Sequence, residues 1–396
     1  MQKKLIALAI AGLAAAPAFA QSTNVTMYGV VDAGMEIGNS GFGTKTRVQS
    51  GQSAGSRLGF KADEDLGNGL KVFFTLEAGF ALDNGQATQH SSVTGGAAPM
   101  GQGTNTGAFT GAPQTTGTYF FQRQALAGLK GNFGQLSVGR QYTPAFLQSA
   151  AVDPFTAGLG GQMPVVLAGL PAYSQRYDNS VLYVSPNFTG FTGSLFYSSG
   201  NENNVNGTTA TTTEKAGRAW TIAGQYANGP AFAGLSYQES YGSTYAAPAI
   251  DLAKNKSFVV DGSWDFNVVK ASLLYGTGHS DASGAGRTVD ERRWALGLSA
   301  PLGAAAKVQF TYGRKDDRTA ANKDAHFWSL GSEYSLSKRT ALYAAYTKMI
   351  NDDRSTALGA AAGAGWNINS ALNTGLSLTD SNYDPYAFQF GMRHAF

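Results

Sequence analysis

The sequence predicts an all-β protein, a transmembrane antiparallel β-barrel of about 16 strands, and three observations carry that prediction. Apolar and polar residues alternate from one end of the chain to the other. The connections between the alternating segments are short and long by turns. Only 14% of the 396 residues are charged, while 51 are Gly, 23 Phe, 18 Tyr and 5 Trp. Ordinary globular proteins carry roughly 25% charged residues.

The alternation is clearest where Leu70, Val72, Phe74, Leu76, Ala78 and Phe80 interleave with Lys71, Phe73, Thr75, Glu77 and Gly79. Val308, Phe310 and Tyr312 do the same with Lys307, Gln309, Thr311 and Gly313. A period of two with one apolar face describes a strand whose two sides meet different media. Such segments fall at 24–37, 55–62, 70–81, 119–130, 135–142, 176–185, 190–198, 218–227, 231–239, 257–266, 269–278, 290–299, 307–315, 325–335, 341–349 and 384–396. An even number lets antiparallel strands close with both ends on one side.

Short connections at 64–69, 131–134, 186–190, 228–230 and 301–303 carry the turn residues Gly, Pro, Asn and Asp. Long ones at 83–118, 143–175 and 351–383 are rich in Gly, Ser, Thr and Ala. Tight turns on one rim and long loops on the other are the layout of an outer-membrane barrel. In lipid no backbone group stays unpaired, so a spanning sheet has to close on itself. Trp220, Trp264, Phe266, Trp294, Trp328 and Tyr334 sit near segment ends on the apolar face, where interfacial girdles belong. Tyr28 also sits near an end but faces inward by phase. A soluble β-sandwich would collect aromatics too, but it would need cover for apolar rows on nearly every strand.

With no Cys, disulfide scaffolds and Cys-based zinc modules are excluded. Lys3 and Lys4, the apolar run from Leu5 to Leu13 and the small-residue end Pro17-Ala-Phe-Ala20 read as an export signal over 1–20. Its removal leaves 27 basic residues against 26 acidic, a balance that offers nothing to nucleic acid. An exported, cysteine-free, aromatic-rich chain points to the Gram-negative envelope.

Several stretches, in this order and spacing, resemble the Gram-negative general diffusion porins of the betaproteobacterial (neisserial and burkholderial) type. They are Val25-Thr-Met-Tyr-Gly-Val-Val-Asp-Ala-Gly34, Gly55-Ser-Arg-Leu-Gly-Phe-Lys-Ala-Asp-Glu-Asp-Leu-Gly67 and Leu76-Glu-Ala-Gly-Phe80. Phe121-Gln-Arg-Gln-Ala125, Gly128-Leu-Lys-Gly131, Val138-Gly-Arg-Gln141, Arg176-Tyr-Asp-Asn-Ser-Val-Leu-Tyr-Val-Ser-Pro186 and Gly391-Met-Arg-His-Ala-Phe396 continue the series. The resemblance covers essentially the whole exported chain. It implies a homotrimer in the outer membrane, surrounded by lipid and lipopolysaccharide, passing ions and small hydrophilic solutes. It also implies that terminal Phe396 closes the barrel and is read by the outer-membrane assembly machinery.

A barrel of this size is too wide for its wall side chains to fill. The segment 143–175 carries Phe146, Leu147, Phe155, Leu159, Val165, Val166, Leu167 and Leu170, which an exposed loop has no reason to hold. It is the expected inward-folded third loop and pore constriction. Alternation places Arg57, Arg123 and Arg176 inward, and by resemblance they form, with Arg140, the basic ladder of the pore. Lys61 and Glu77 are expected in the lumen as well. Asp153 is the only acid in 143–175 and is expected to face the ladder. The field across the pore should then lean positive, giving a weakly anion-selective channel. Val30 departs from some wider relatives, which place a lumenal lysine there.

Other chemistry finds little support. His90, His279, His326 and His394 sit in no catalytic motif, although Asp281 follows His279 closely. Asp63, Glu64 and Asp65 lack EF-hand spacing. No phosphate-cradling loop and no cofactor motif is present. A substrate-specific channel is the nearest alternative to general diffusion; a barrel enzyme or a loop-borne adhesin is a more distant one.

Overall fold

The strands of the sheet hydrogen-bond to their sequence neighbours, except that the second and third both pair with the first, and the last returns to the first. The computed structural model describes residues 25–39, 43–87, 120–200, 217–242, 253–282, 286–320, 324–351 and 384–396. The expected leader at 1–20 lies outside these, as does most of the 83–118 and 351–383 connections.

The strands are β1 Thr26–Asn39, β2 Thr44–Ser50, β3 Arg57–Gly67, β4 Leu70–Gly79, β5 Gln124–Gly131 and β6 Gly134–Tyr142. After the loop come β7 Arg176–Val184, β8 Phe191–Ser198, β9 Ala219–Asn228, β10 Ala231–Tyr241, β11 Lys254–Asp265 and β12 Lys270–Ala282. The wall is completed by β13 Gly286–Leu302, β14 Ala306–Asp317, β15 Ala325–Ser335, β16 Thr340–Asn351 and β17 Tyr386–Ala395.

These 17 strands make 16 staves, because β2 and β3 pair with the two halves of β1. Asn39 pairs with Thr44 at one end of β1, and Thr26 pairs with Lys61 at the other. The second expected segment, 55–62, is thus the lower half of a stave broken at 51–56. β1 closes on β17 antiparallel, from Val30 opposite Ala395 to Asn39 opposite Tyr386. Phe396 then exchanges both backbone hydrogen bonds with Gly29, at 3.1 Å each.

The wall is inverted relative to a soluble protein. On β9, β10 and β12 the residues Ile222, Leu235 and Leu273 are 50%, 53% and 56% exposed, whereas Thr221, Ser236 and Ser272 are at most 3% exposed. A surface of this kind is stable only against lipid. Outward aromatics form two belts. Trp220 with Tyr237 and Trp328 with Tyr346 lie toward the loop end; Phe191 with Tyr226 and Trp264 with Phe266 lie toward the turn end. Tyr28 stays on the lumenal side, where its hydroxyl donates to Glu77 at 3.0 Å.

Between β6 and β7 the chain turns inward. Helix α1, Pro144–Val152, starts on Thr143, whose hydroxyl accepts from the Phe146 N–H at 3.2 Å, with Pro144 in the first turn. A short second helix, α2, spans Pro164–Leu167. The base of the loop is pinned where Thr143 N donates to Gln175 O at 3.0 Å and Thr143 Oγ1 donates to Ser174 O at 2.6 Å.

Candidate functional site

The loop lies against one side of the lumen. Phe146, Met163, Val165, Val166, Leu167 and Leu170 bury themselves among Val259, Leu274, Ala295, Phe327 and Met349 of the wall. The largest contiguous apolar packing among the described residues is therefore inside the channel, between loop and wall. Its seat is cut by inward glycines. A β-carbon on Gly297 would come within 2.6 Å of Pro154 Cγ and 2.7 Å of Met163 Sδ. Arg293, 3% exposed, reaches from β13 to donate to the carbonyls of Val166 and Ala168, and pairs with Glu291.

The far leg of the loop is held by the break in the second stave. Asp32 accepts the N–H groups of Ser53 at 3.0 Å and Ala54 at 2.8 Å, and the Tyr343 hydroxyl at 2.6 Å. That folds 51–56 inward, where the Gln52 carbonyl accepts from Leu159 N. Gln389 of β17 accepts from Gly160 N at 3.0 Å.

On the opposite side of the lumen the arginines gather around one acid and one tyrosine. Glu77, on β4, accepts from Arg123 Nε at 2.6 Å and lies 3.6 Å from Arg57 Nε. Arg123 also donates to the Tyr142 hydroxyl at 3.0 Å. Arg176 donates to the same hydroxyl and stacks on the Tyr142 ring, with Cζ 4.0 Å from the centroid. Arg57 and Arg123 keep 26% and 14% of their side chains exposed, while Arg176 is almost wholly covered. Lys61 is exposed, its ammonium 5.4 Å from the Tyr28 ring centre.

Two expected members stand apart. Arg140 lies beside a register shift at Gly139, and its guanidinium goes to the Asp178 carboxylate and the Gln122 carbonyl. Its charge is therefore matched locally. Asp153 does not face the arginines: 5% exposed, it accepts the N–H groups of Phe155 at 3.0 Å, Ala157 at 2.7 Å and Met163 at 3.0 Å. It organises the turn after α1, where Thr156, Ala157 and Leu159 have positive φ. Burial pushes its carboxyl up to about 7, against the pull of the three donors. Sequence reasoning missed Arg293 and Arg393; the latter pairs with Glu333 at 3.0 Å along the wall, over the intervening strand β16. Both sit at inward positions that alternation alone marks.

Around Glu77 and Tyr142, then, three guanidinium groups gather with one carboxylate, and the loop facing them returns no negative charge. A closed sheet with an apolar outside, a polar inside and a loop folded into its bore defines a transmembrane channel barrel.

A family model described as Gram-negative porin matches residues 7–354. An outer membrane porin protein of Bordetella pertussis is 31% identical over 91% of this chain and 98% of its own. Outer membrane porin protein 32 of Delftia acidovorans is 31% identical over 100% of both chains. Among solved structures, an anion-selective porin from Comamonas acidovorans superposes with a TM-score of 0.72 at 25% identity, covering 95% of this chain and all of that one. A Vibrio cholerae outer membrane protein in trimer form shares the fold, with a TM-score of 0.64 at 17% identity over 94% of this chain and 99% of that one. The chain belongs to the Gram-negative porin family: it is an outer-membrane barrel through which solutes diffuse passively.

Proposed function

We propose that this porin is weakly anion-selective and that the loop 143–175 and the Arg57, Arg123 and Arg176 cluster are its constriction. The observation that carries the reading is the uneven charge: three guanidiniums gather on Glu77 and Tyr142 with Glu77 as their one acid, and the loop's one acid, Asp153, is consumed by backbone N–H groups. Arginines stay protonated at any working pH, so the field persists across the physiological range. The likeness to an anion-selective barrel agrees with it.

The same proposal includes cleavage of a leader at 1–20, assembly as a homotrimer among outer-membrane lipid and lipopolysaccharide, and recognition of Phe396 during insertion. Catalysis has no part in it, since the relatives are named porins. Planar-bilayer recording across a KCl gradient tests it: a reversal potential of the sign for chloride preference is expected. Potassium preference would overturn the charge assignment.

A further inference from the structure

Beneath helix α1, on the wall it covers, lies a group of oxygens that the channel reading does not use. Asp261, an inward residue of β11, is 3% exposed, and neither of its carboxylate oxygens meets a donor. It stands opposite Gly234 of β10 and Leu274 of β12. A β-carbon on Gly234 would lie 2.6 Å from Asp261 Oδ1 and 3.2 Å from Gln148 Cδ. The glycine thus makes room for the acid and the helix amide to converge on one spot.

The orientation of Gln148 is set by its other end. Its Nε2 donates to the Gly224 carbonyl at 2.9 Å, so Oε1 is turned away from that bond and is left without a donor. Ser236, fully buried at the next inward position of β10, has a hydroxyl without a partner. Nearby Tyr173 brings no proton to spare. Ser149 Oγ donates to the Phe146 carbonyl at 2.9 Å, so Tyr173 donates its own hydroxyl proton to Ser149 at 2.8 Å. No lysine or arginine among the described residues pairs with Asp261.

A buried carboxylate facing a buried amide oxygen is repulsive and costly unless a metal cation or a shared proton joins them, and only the first would make stability depend on the salt present. Every unsatisfied atom here is an oxygen, and oxygen-only donor sets select hard cations over softer metals. We propose that a hard cation of the sodium or calcium type binds between α1 and the β10–β11 wall, ligated by Asp261 and Gln148 with Ser236 beside them. Bound there, it bolts the first helix of the pore loop to the barrel. The site needs only the fold, so it stands or falls independently of the channel's ion preference.

The test is the melting of the folded, detergent-solubilised protein, followed by loss of its heat-modifiable gel form, in three media of equal ionic strength. These are NaCl, choline chloride with a chelator, and choline chloride with CaCl2. For the wild type, melting is expected to fall by about 2–4 °C or more in chelated choline. Recovery in NaCl alone identifies sodium, and recovery with CaCl2 identifies calcium. Asp261→Asn supplies an amide N–H to Gln148 Oε1 and should melt at one temperature in all three media. A wild type indifferent to the media overturns the proposal, as does an Asp261→Asn variant that follows the wild type. Should that variant fail to fold, Gln148→Met takes its place: a response markedly smaller than the wild type's supports the site, and an equal one overturns it.

Discussion

Arg57 is the member of the cluster that can be removed with least damage. Its Nε lies 3.6 Å from Glu77, while Arg123 holds the same carboxylate at 2.6 Å and Tyr28 donates to it at 3.0 Å. Arg57→Gln therefore leaves the buried acid compensated, and the barrel should assemble normally. The excess of positive charge around Glu77 falls from two to one. An ion passing about 6 Å away in water feels one unit charge as about 0.7 kcal/mol. Screening near 0.1 M salt, with a Debye length of about 10 Å, cuts this roughly in half, or about a factor of two in occupancy. The anion loses that factor and the cation gains it, so the anion-to-cation permeability ratio should drop about fourfold. Reversal potentials of reconstituted channels in a dilute KCl gradient measure it directly. The paired change Arg140→Gln with Asp178→Asn removes a matched pair and should leave the ratio where it was. An unmoved ratio in Arg57→Gln, or a larger shift from the neutral double change, would falsify the placement of the selective charge around Glu77.

Three further outcomes follow from the loop and the seam. The Asp153 carboxyl holds its proton more tightly when folded than when unfolded, because burial lifts it to about 7. Its contribution is therefore greatest at low pH and is lost as pH rises through 7, by up to about 4 kcal/mol. Wild-type melting minus that of Asp153→Asn should accordingly increase from pH 8 to pH 5, and a flat difference counts against the burial argument. Gly297→Val would drive the loop off its seat toward the arginines, at a strain of about 1–3 kcal/mol. Single-channel conductance should fall with the barrel intact; an increase would mean that the loop yields in another direction. Deleting Phe396 strips two backbone hydrogen bonds from Gly29, costing about 1–3 kcal/mol for each group left unpaired. The folded fraction recovered from denaturant should drop, whereas Phe396→Ala keeps the pairing and should refold better than the deletion.

All sixteen staves were legible because lipid and water impose opposite demands on alternate residues, and each strand records both. The break at 51–56 was not, since nothing local distinguishes it from a polar strand. It depends on Asp32, on the Tyr343 hydroxyl and on the loop backbone at Leu159, partners from three other parts of the chain. The apolar loop residues announced that 143–175 would pack against a wall. Which wall was also written, in inward glycines such as Gly276 and Gly297 that would collide with Leu167 and Met163 if they carried a β-carbon. A glycine at a lumenal position of a wide barrel has no packing reason to exist unless something lies on it.

Charge was harder to read than shape. Alternation marks a side chain as inward, but an inward side chain contributes to the field in the bore only if nothing nearby cancels it. Arg140 drops out because the bulge at Gly139 brings it to Asp178, and Asp153 because three N–H groups close around it. Glu77 matters in the opposite sense: one acid placed between Arg57 and Arg123 removes a third of the cluster's positive charge while holding the guanidiniums in place. An arginine ladder without such an acid would repel itself and lie flat along the wall. The carboxylate that weakens the field is thus the group that gives it a fixed position, which is why weak rather than strong anion preference is the expected outcome of this arrangement.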